Sequence, residues 1–163
     1  MGKSTPKITD DMAKIVNDHK LGYVASVGAD GVPNLSPKGT FVVVDGDTLA
    51  FAELRSPNTL RNIAVNPKVE VNFVDPFSRK GCRFKGSARF VATSDGGFTA
   101  LRPLFDGWGD LSDRMTGIVV IDVEKAALLS SPAYDMGVTE ETLRAQWTAN
   151  FRAMQPGGRF AGD

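Results

Sequence analysis

The sequence is short of the residues that usually bind metals. Among its 163 residues there is one cysteine, Cys82, and one histidine, His19. One cysteine cannot form an internal disulfide, and one histidine leaves too few ligands for a typical zinc or iron site. A Ser-His-Asp site would depend on His19 alone. We therefore predict no metal site, and no catalytic residue can be named from these two side chains.

An excess of charge and a long apolar segment are also absent. Lys plus Arg and Asp plus Glu number 19 each, so no overall field attracts nucleic acid or an anionic membrane. No uncharged apolar run approaches the roughly 20 residues that span a bilayer, and residues 1–11 lack the apolar centre of a secretory signal. These features predict a cytoplasmic protein without nucleic-acid or membrane partners, in which any anion site is local.

The residues that are present indicate one globular domain. Hydrophobic residues make up 42% of the chain and charged residues 23%, which is ordinary for a globular protein. The length suits a single hydrophobic core. We predict one domain over residues 1–155, followed by a flexible tail over 156–163 that is rich in glycine.

Two amphipathic helices are predicted, one at each end of the domain. Thr9 can cap the first, which ends near His19, and the apolar spacing leaves His19 in a structural position. Thr139 can cap the second, which is expected to pack on the barrel or on a partner subunit. The apolar stripe of this second helix consists of Leu143, Trp147, Phe151 and Met154.

Strand patterns fill most of the chain between these helices. Apolar and polar residues alternate most clearly over 82–90, as in a half-buried strand. Tight turns join most of the segments, so we predict a mainly β fold with flanking helices, whose antiparallel sheet closes as a small barrel. The predicted strands are residues 21–27, 32–44, 48–53, 68–74, 81–92 and 117–123.

A helix start follows the strand that ends at residue 53. Ser56 is expected to be its N-cap, and Pro57 suits the first helical position. The backbone amides of Asn58 and Thr59 would then lack partners and point out of the helix start, where they attract phosphate. The alternative is that Ser56 and Pro57 only cap a helix.

Basic residues are predicted to converge on this helix start. Arg55 and Arg61 flank it in the sequence. Ser36 and Lys38 lie on one side of a strand that should run beside the strand ending at Glu53, so Lys38 could reach the same anion. The alternative for the arginines is that they only solvate the surface.

Three sequence runs together resemble the pyridoxamine 5′-phosphate oxidase-like, FMN-binding split-barrel family. They are LGYVASVGADGVPNLSPKG, FAELRSPNTLRNIAVNPKVEVNFVDP and RKGCRFKGSARF, and the resemblance covers about residues 8–125. It implies a six-stranded antiparallel Greek-key split β-barrel. It also implies a homodimer with one FMN in each of two clefts at the subunit interface.

The resemblance also implies which residues bind the cofactor. Lys38 matches the phosphate-binding lysine of the family. A strand that approaches FMN from the dimer interface corresponds to the one here that carries Arg83 and Lys85. No residue stands out as a general acid, although Glu53 lies at a matched position near the flavin. The full implied set is Ser36, Lys38, Ala52, Glu53, Arg55, Asn58, Thr59, Arg83 and Lys85.

The chain departs from true pyridoxamine phosphate oxidases at several of their motif positions. Pro33 replaces an arginine, residues 57–59 replace Ser-Arg-Lys, Gly81 replaces a glutamine, and no histidine follows His19. These departures argue against vitamin oxidation and against haem binding. We predict an FMN-dependent oxidoreductase acting on a small molecule. The alternatives are a non-catalytic flavin-binding or ligand-sensing module and a deazaflavin-dependent reductase.

Overall fold

A computed structural model describes residues 7–157. Residues 158–163 of the predicted flexible tail lie outside this range. The helices are α1 (Asp10–His19), α2 (Pro57–Val65), α3 (Phe98–Leu101) and α4 (Glu140–Met154), and a 3-10 segment covers Arg102–Arg114. The strands are β1 (Gly22–Val27), β2 (Pro33–Lys38), β3 (Phe41–Asp45), β4 (Thr48–Glu53), β5 (Lys68–Asp75), β6 (Lys80–Ala92) and β7 (Gly117–Leu129).

All the strands described form one antiparallel sheet in the order β2-β1-β5-β6-β7-β4-β3. The predicted mainly β fold with flanking helices is therefore confirmed. The predicted number of six strands is wrong, because the sheet has seven. The strands do not close into a complete barrel, which is compatible with a split barrel.

The extra strand arises because the segment predicted over 32–44 breaks at Gly39 and Thr40. Its first half pairs with β1, and its second half pairs with β4 at the opposite edge of the sheet. The strands that run beside β4 are therefore β3 and β7, and not the half that carries Ser36 and Lys38. The Thr40 hydroxyl stabilises the corner, since it accepts from the Ala52 N–H at 3.0 Å and donates to the Ala52 carbonyl at 3.2 Å.

Phenylalanine rings fill the centre of the main core. The Phe41 ring lies 5.1 Å from Phe51 and 4.8 Å from Phe73, and Phe73 lies 6.0 Å from Phe84, measured between centroids. Gly22 permits this packing, because a Cβ atom there would lie 2.6 Å from the Phe41 ring. Helix α1 covers this core with Met12 and Val16, and Ile8, just before the helix, packs beside them.

The two predicted helix caps are confirmed. Thr9 accepts from the Met12 N–H at 3.4 Å and begins α1, which ends at His19. Thr139 accepts from the Thr142 N–H at 3.2 Å and begins α4. None of the helices in the described part of the chain is long and apolar enough to cross a membrane.

Helix α4 packs on the turn between β5 and β6. Its Leu143 is buried. The guanidinium of Arg79 lies 4.3 Å from the Trp147 ring centroid, and the rings of Phe77 and Phe151 are 5.3 Å apart. The predicted apolar stripe therefore contacts the barrel of its own chain, although Met154 at its end is 66% exposed.

Candidate functional site

Lys38, the last residue of β2, is held at the start of α2. Its side chain is buried, and its Nζ donates to Ser36 Oγ at 2.7 Å and to Ser56 Oγ at 2.6 Å. Burial lowers the pKa of Lys38, and the attraction of Glu53 partly offsets this effect. A lysine ammonium has three N–H donors, so one remains for a ligand. The predicted placement of Ser36 and Lys38 on one side of the strand is confirmed.

Ser56 occupies the N-cap position of α2 but makes no side-chain capping hydrogen bond. Its hydroxyl oxygen instead accepts from Lys38, so Ser56 belongs to the site, a role that the capping pattern in the sequence did not indicate. A serine oxygen that accepts from lysine still has its own O–H to donate. Neither Ser36 nor Ser56 donates that proton to an acceptor among residues 7–157.

Glu53 lies under the same turn and is 2% exposed. Its Oε1 accepts from the Ser56 N–H, whereas its Oε2 is buried and receives no hydrogen bond from the residues described. A buried carboxylate oxygen without a donor is unfavourable, and such an atom in a native structure needs an explanation. Glu53 does not line the cleft beside this turn, so the Oε2 atom faces the protein interior.

A small cleft of about 160 Å³ opens at the start of α2. We call it the α2 cleft. The positive end of the helix dipole favours an anion in this position. The Arg55 side chain is exposed and has no acidic partner among residues 7–157. The predicted residues that line the α2 cleft are Ser36, Arg55, Asn58 and Thr59, together with Ser56. Lys38 does not line the cleft itself but lies behind it, bonded to the hydroxyls of Ser36 and Ser56.

Arg61, which was also expected beside this anion, lies elsewhere. Its guanidinium donates to Asn58 Oδ1, and it lines a neighbouring groove of about 540 Å³ rather than the α2 cleft. We call this cavity the Arg61 groove; it lies between the β1–β2 turn and the outer side of α2. Arg55 and Arg61 therefore line different, adjoining cavities, and the expectation that both flank one anion stays a prediction.

Arg83 and Lys85 are not brought to Lys38 within one chain. Both pair with Glu70, at 3.2 Å and 3.3 Å. Residues paired across an antiparallel sheet lie on the same face. Lys85 pairs with Glu70, Glu70 with Ala25, and Ala25 with Leu35, which is exposed, so this cluster lies on the exposed outer face. Their predicted contact with a cofactor remains a prediction that requires a second copy of the chain.

The contact expected between Ala52 and the cofactor also remains a prediction. The Ala52 N–H and carbonyl both bond the Thr40 hydroxyl. The Glu53 carbonyl accepts from the Thr116 N–H at 2.8 Å. These backbone groups at the strand end therefore bond within their own chain. The Glu53 carboxylate is the group there that lacks a full set of hydrogen-bond partners among residues 7–157.

A third cleft, of about 480 Å³, lies between α1 and the start of α4. Asp75 is buried there, and Arg144 Nη2 lies 2.6 Å from its Oδ2. His19 Nε2 lies 3.7 Å from Asp75 Oδ1, too far for a hydrogen bond. The ion pair between Asp75 and Arg144 connects α4 to the sheet. Among residues 7–157, no group of three His, Cys, Asp or Glu side chains could hold a metal ion.

Comparison with known proteins identifies the class of protein that this fold and cleft define. A family model described as pyridoxamine 5′-phosphate oxidase matches residues 8–130. The chain therefore belongs to the pyridoxamine 5′-phosphate oxidase family, and the resemblance found in the sequence is confirmed. A search of curated proteins found no match to the chain.

Solved structures share the fold. HupZ from Group A Streptococcus is 32% identical with a TM-score of 0.66, and the match covers 76% of this chain and 95% of HupZ. A protein described as a putative pyridoxamine 5′-phosphate oxidase from Lactobacillus delbrueckii is 24% identical with a TM-score of 0.62, covering 76% and 96%. An FMN-binding protein from Syntrophomonas wolfei shares the fold at 12% identity and a TM-score of 0.63, covering 76% and 87%.

Proposed function

We propose that this protein binds FMN and uses it as an oxidoreductase on a small molecule. The observation that carries the proposal is the Lys38 amine, which two serine hydroxyls hold at the start of α2. Membership in the pyridoxamine 5′-phosphate oxidase family supports it, and the FMN-binding protein from Syntrophomonas wolfei has the same fold.

The residues of the α2 cleft, together with Lys38 behind its two serines, fit a phosphate group. Lys38 has one N–H to donate, and Ser36 and Ser56 each have an O–H to donate. Arg55 adds a cation without an acidic partner among the residues described. Hydrogen bonds between charged groups are stronger than neutral ones, so a phosphate gains most from this set of donors.

The rest of FMN needs a surface beyond the α2 cleft. Whole-ligand pockets typically measure about 300–1,000 Å³, and this cleft holds about 160 Å³. We propose that a second copy of the chain supplies the missing wall in a homodimer. The outer sheet face supports this idea, because Tyr23 and Leu35 are 42% and 67% exposed there, beside Arg83 and Lys85.

The chain's own residues would position the cofactor for its chemistry. FMN, when bound, supplies hydride transfer, and the protein supplies orientation and hydrogen bonds. Lys38 and the two serines fix the phosphate end.

The visible absorption spectrum of the purified protein, followed by titration with FMN, tests the proposal. We expect a flavin band or FMN binding that is saturable. Absence of both would reject FMN binding. Reduction by NADH or NADPH and reoxidation by a panel of quinones and nitro compounds then tests turnover. A bound flavin that no donor reduces would instead favour the non-catalytic module.

A further inference from the structure

The buried carboxylate of Glu53 is not explained by packing. Glu53 ends β4 and is 2% exposed, and its Oε2 receives no hydrogen bond from residues 7–157. A buried charge without a full set of partners is unfavourable, and an apolar side chain of similar size avoids that cost. Because Glu53 does not line the α2 cleft, a ligand there would not supply the missing donor. The negative charge at this position therefore calls for a reason other than stability.

Ser56 connects this carboxylate to Lys38. The Ser56 N–H donates to Glu53 Oε1, and the Ser56 hydroxyl accepts from Lys38 Nζ at 2.6 Å. The other hydrogen bond of Lys38 goes to the Ser36 hydroxyl, so within residues 7–157 Glu53 occupies none of the lysine donors. Glu53 therefore attracts the ammonium group and leaves its free N–H to a ligand.

The surroundings of Lys38 act on its charge in opposite directions. Burial lowers the pKa of Lys38, and the attraction of Glu53 raises it. The Phe51 ring centroid of β4 lies 5.9 Å from Nζ. Of the described residues that line the α2 cleft, Arg55 carries the charge, and a second cation nearby favours a neutral lysine. Arg61 of α2 lies in the Arg61 groove. Among these groups, Glu53 supplies the negative charge that favours the ammonium form.

We propose that Glu53 is a positioning residue that keeps Lys38 protonated for the phosphate of the bound cofactor, without touching the cofactor itself. This inference rests on the proposed flavin phosphate site. An ammonium group attracts an anion and donates to it, whereas a neutral amine has lost that charge. Glu53 also brings a negative charge near the phosphate, which opposes binding wherever the lysine is charged in any case. Its effect on FMN affinity should therefore change sign with pH.

Titration of the full chain with FMN and with riboflavin, between about pH 7 and 10, tests the inference. The ratio of the two affinities, the phosphate preference, separates the phosphate from the flavin ring. In the wild type this preference should fall by half at a midpoint that lies below 10.5, the ordinary pKa of lysine. In Glu53→Gln the midpoint should lie about one pH unit lower, because a nearby opposite charge is lost.

The size and the sign of the effect follow from this shift. At the wild-type midpoint, Glu53→Gln should show a phosphate preference about fivefold smaller than that of the wild type. At pH values below both midpoints it should bind FMN at least as tightly as the wild type. Lys38 is then charged in both proteins, and one charge that repels the phosphate has been removed.

Further variants separate this effect from damage to the turn. Glu53→Leu also removes the charge but places an apolar side chain in the buried position, so it should move the midpoint as far as Glu53→Gln does. Glu141→Gln, an equal loss of charge at an exposed position of α4, should leave the midpoint unchanged. Lys38→Ala should show no midpoint, with or without Glu53→Gln.

Four results would count against the inference, and one of them also reaches the proposed function. A midpoint that stays at the wild-type pH in both Glu53 variants would overturn the inference alone. So would a loss of FMN affinity of equal size at every pH, which would mean that Glu53 only holds the turn at the start of α2. A wild-type phosphate preference that does not change with pH would overturn it as well. A wild-type chain that binds neither flavin would reject the proposed function together with the inference.

Discussion

Lys38 differs from most buried lysines because its partners are hydroxyls rather than a paired carboxylate. The two serine oxygens orient the amine but do not neutralise it. Glu53, the nearby acid, has one oxygen engaged by the Ser56 N–H. The positive charge of Lys38 is therefore available for an anionic ligand, whose binding would compensate the burial that lowers the lysine pKa.

Replacement of Lys38 tests this assignment. Lys38→Ala should weaken FMN by roughly tenfold to a hundredfold, because a charge-assisted hydrogen bond contributes about 1.5–3 kcal/mol. Riboflavin has no phosphate, so its affinity should change far less. Arg55→Ala should show the same selectivity with a similar or smaller loss. Titration of both ligands measures it. Equal losses for FMN and riboflavin, or unchanged FMN affinity, would contradict the assignment.

The local parts of this structure were predictable, and the long-range parts were not. Thr9 and Thr139 cap helices through neighbours three residues away, so the pattern of residue types was sufficient. The break at Thr40 depends on Ala52, which comes from another strand. Ser56 is likewise a residue type that caps helices, but its hydroxyl accepts a hydrogen bond from Lys38, which the fold brings from a distant part of the chain. The spacing of residues along the chain does not predict such contacts between distant segments.

Helix α4 is the element whose attachment to the sheet is most easily measured. Leu143 is 5% exposed, and Met154 on the same predicted stripe is 66% exposed. Leu143→Ala should lower the free energy of unfolding by about 2–5 kcal/mol, as for other buried leucines. Met154→Ala is the matched control and should change it by less than about 0.5 kcal/mol. Urea denaturation measures both. Equal stability of the two variants would mean that α4 is not docked.

Asp75 should make this attachment depend on pH. Burial alone would raise its pKa, but hydrogen bonds from Ser78 and Phe77 and the charge of Arg144 outweigh it and leave the pKa below its ordinary value of 3.8. A lowered pKa in the folded state adds stability that is complete above the unfolded pKa. This stability is lost as the pH falls through the folded pKa.

Asp75→Asn mimics the protonated side chain and tests this dependence. The variant should be about 1–3 kcal/mol less stable than the wild type at pH 7, because charged hydrogen bonds are lost. The difference should disappear once the pH lies below the folded pKa of Asp75. Urea denaturation at pH 7 and in acid measures it. Asp18→Asn, in an exposed pair with Lys14, is the control. A difference that does not change with pH would contradict the account.

The proposed homodimer makes the complete site a property of two chains. Tyr23→Glu places a charge on the exposed outer face, away from the α2 cleft, so it should convert the dimer to a monomer and weaken FMN binding. Met136→Glu, at a residue that is 77% exposed elsewhere, should leave the dimer intact. Sedimentation velocity measures both. A wild-type protein that sediments as a monomer would reject the dimer.

The short link at Gly39 and Thr40 has a consequence for how the sheet opens. It joins β2 and β3, which are the two edges of the sheet, and Lys38 immediately precedes it. A ligand that binds both Lys38 and the start of α2 therefore connects the β2 edge of the sheet to the segment that follows β4. Ligand binding adds to the free energy of any opening that breaks this connection. Amide hydrogens of both edge strands should then exchange with solvent more slowly in the bound protein, including those of β3, which carries none of the residues proposed to bind the ligand.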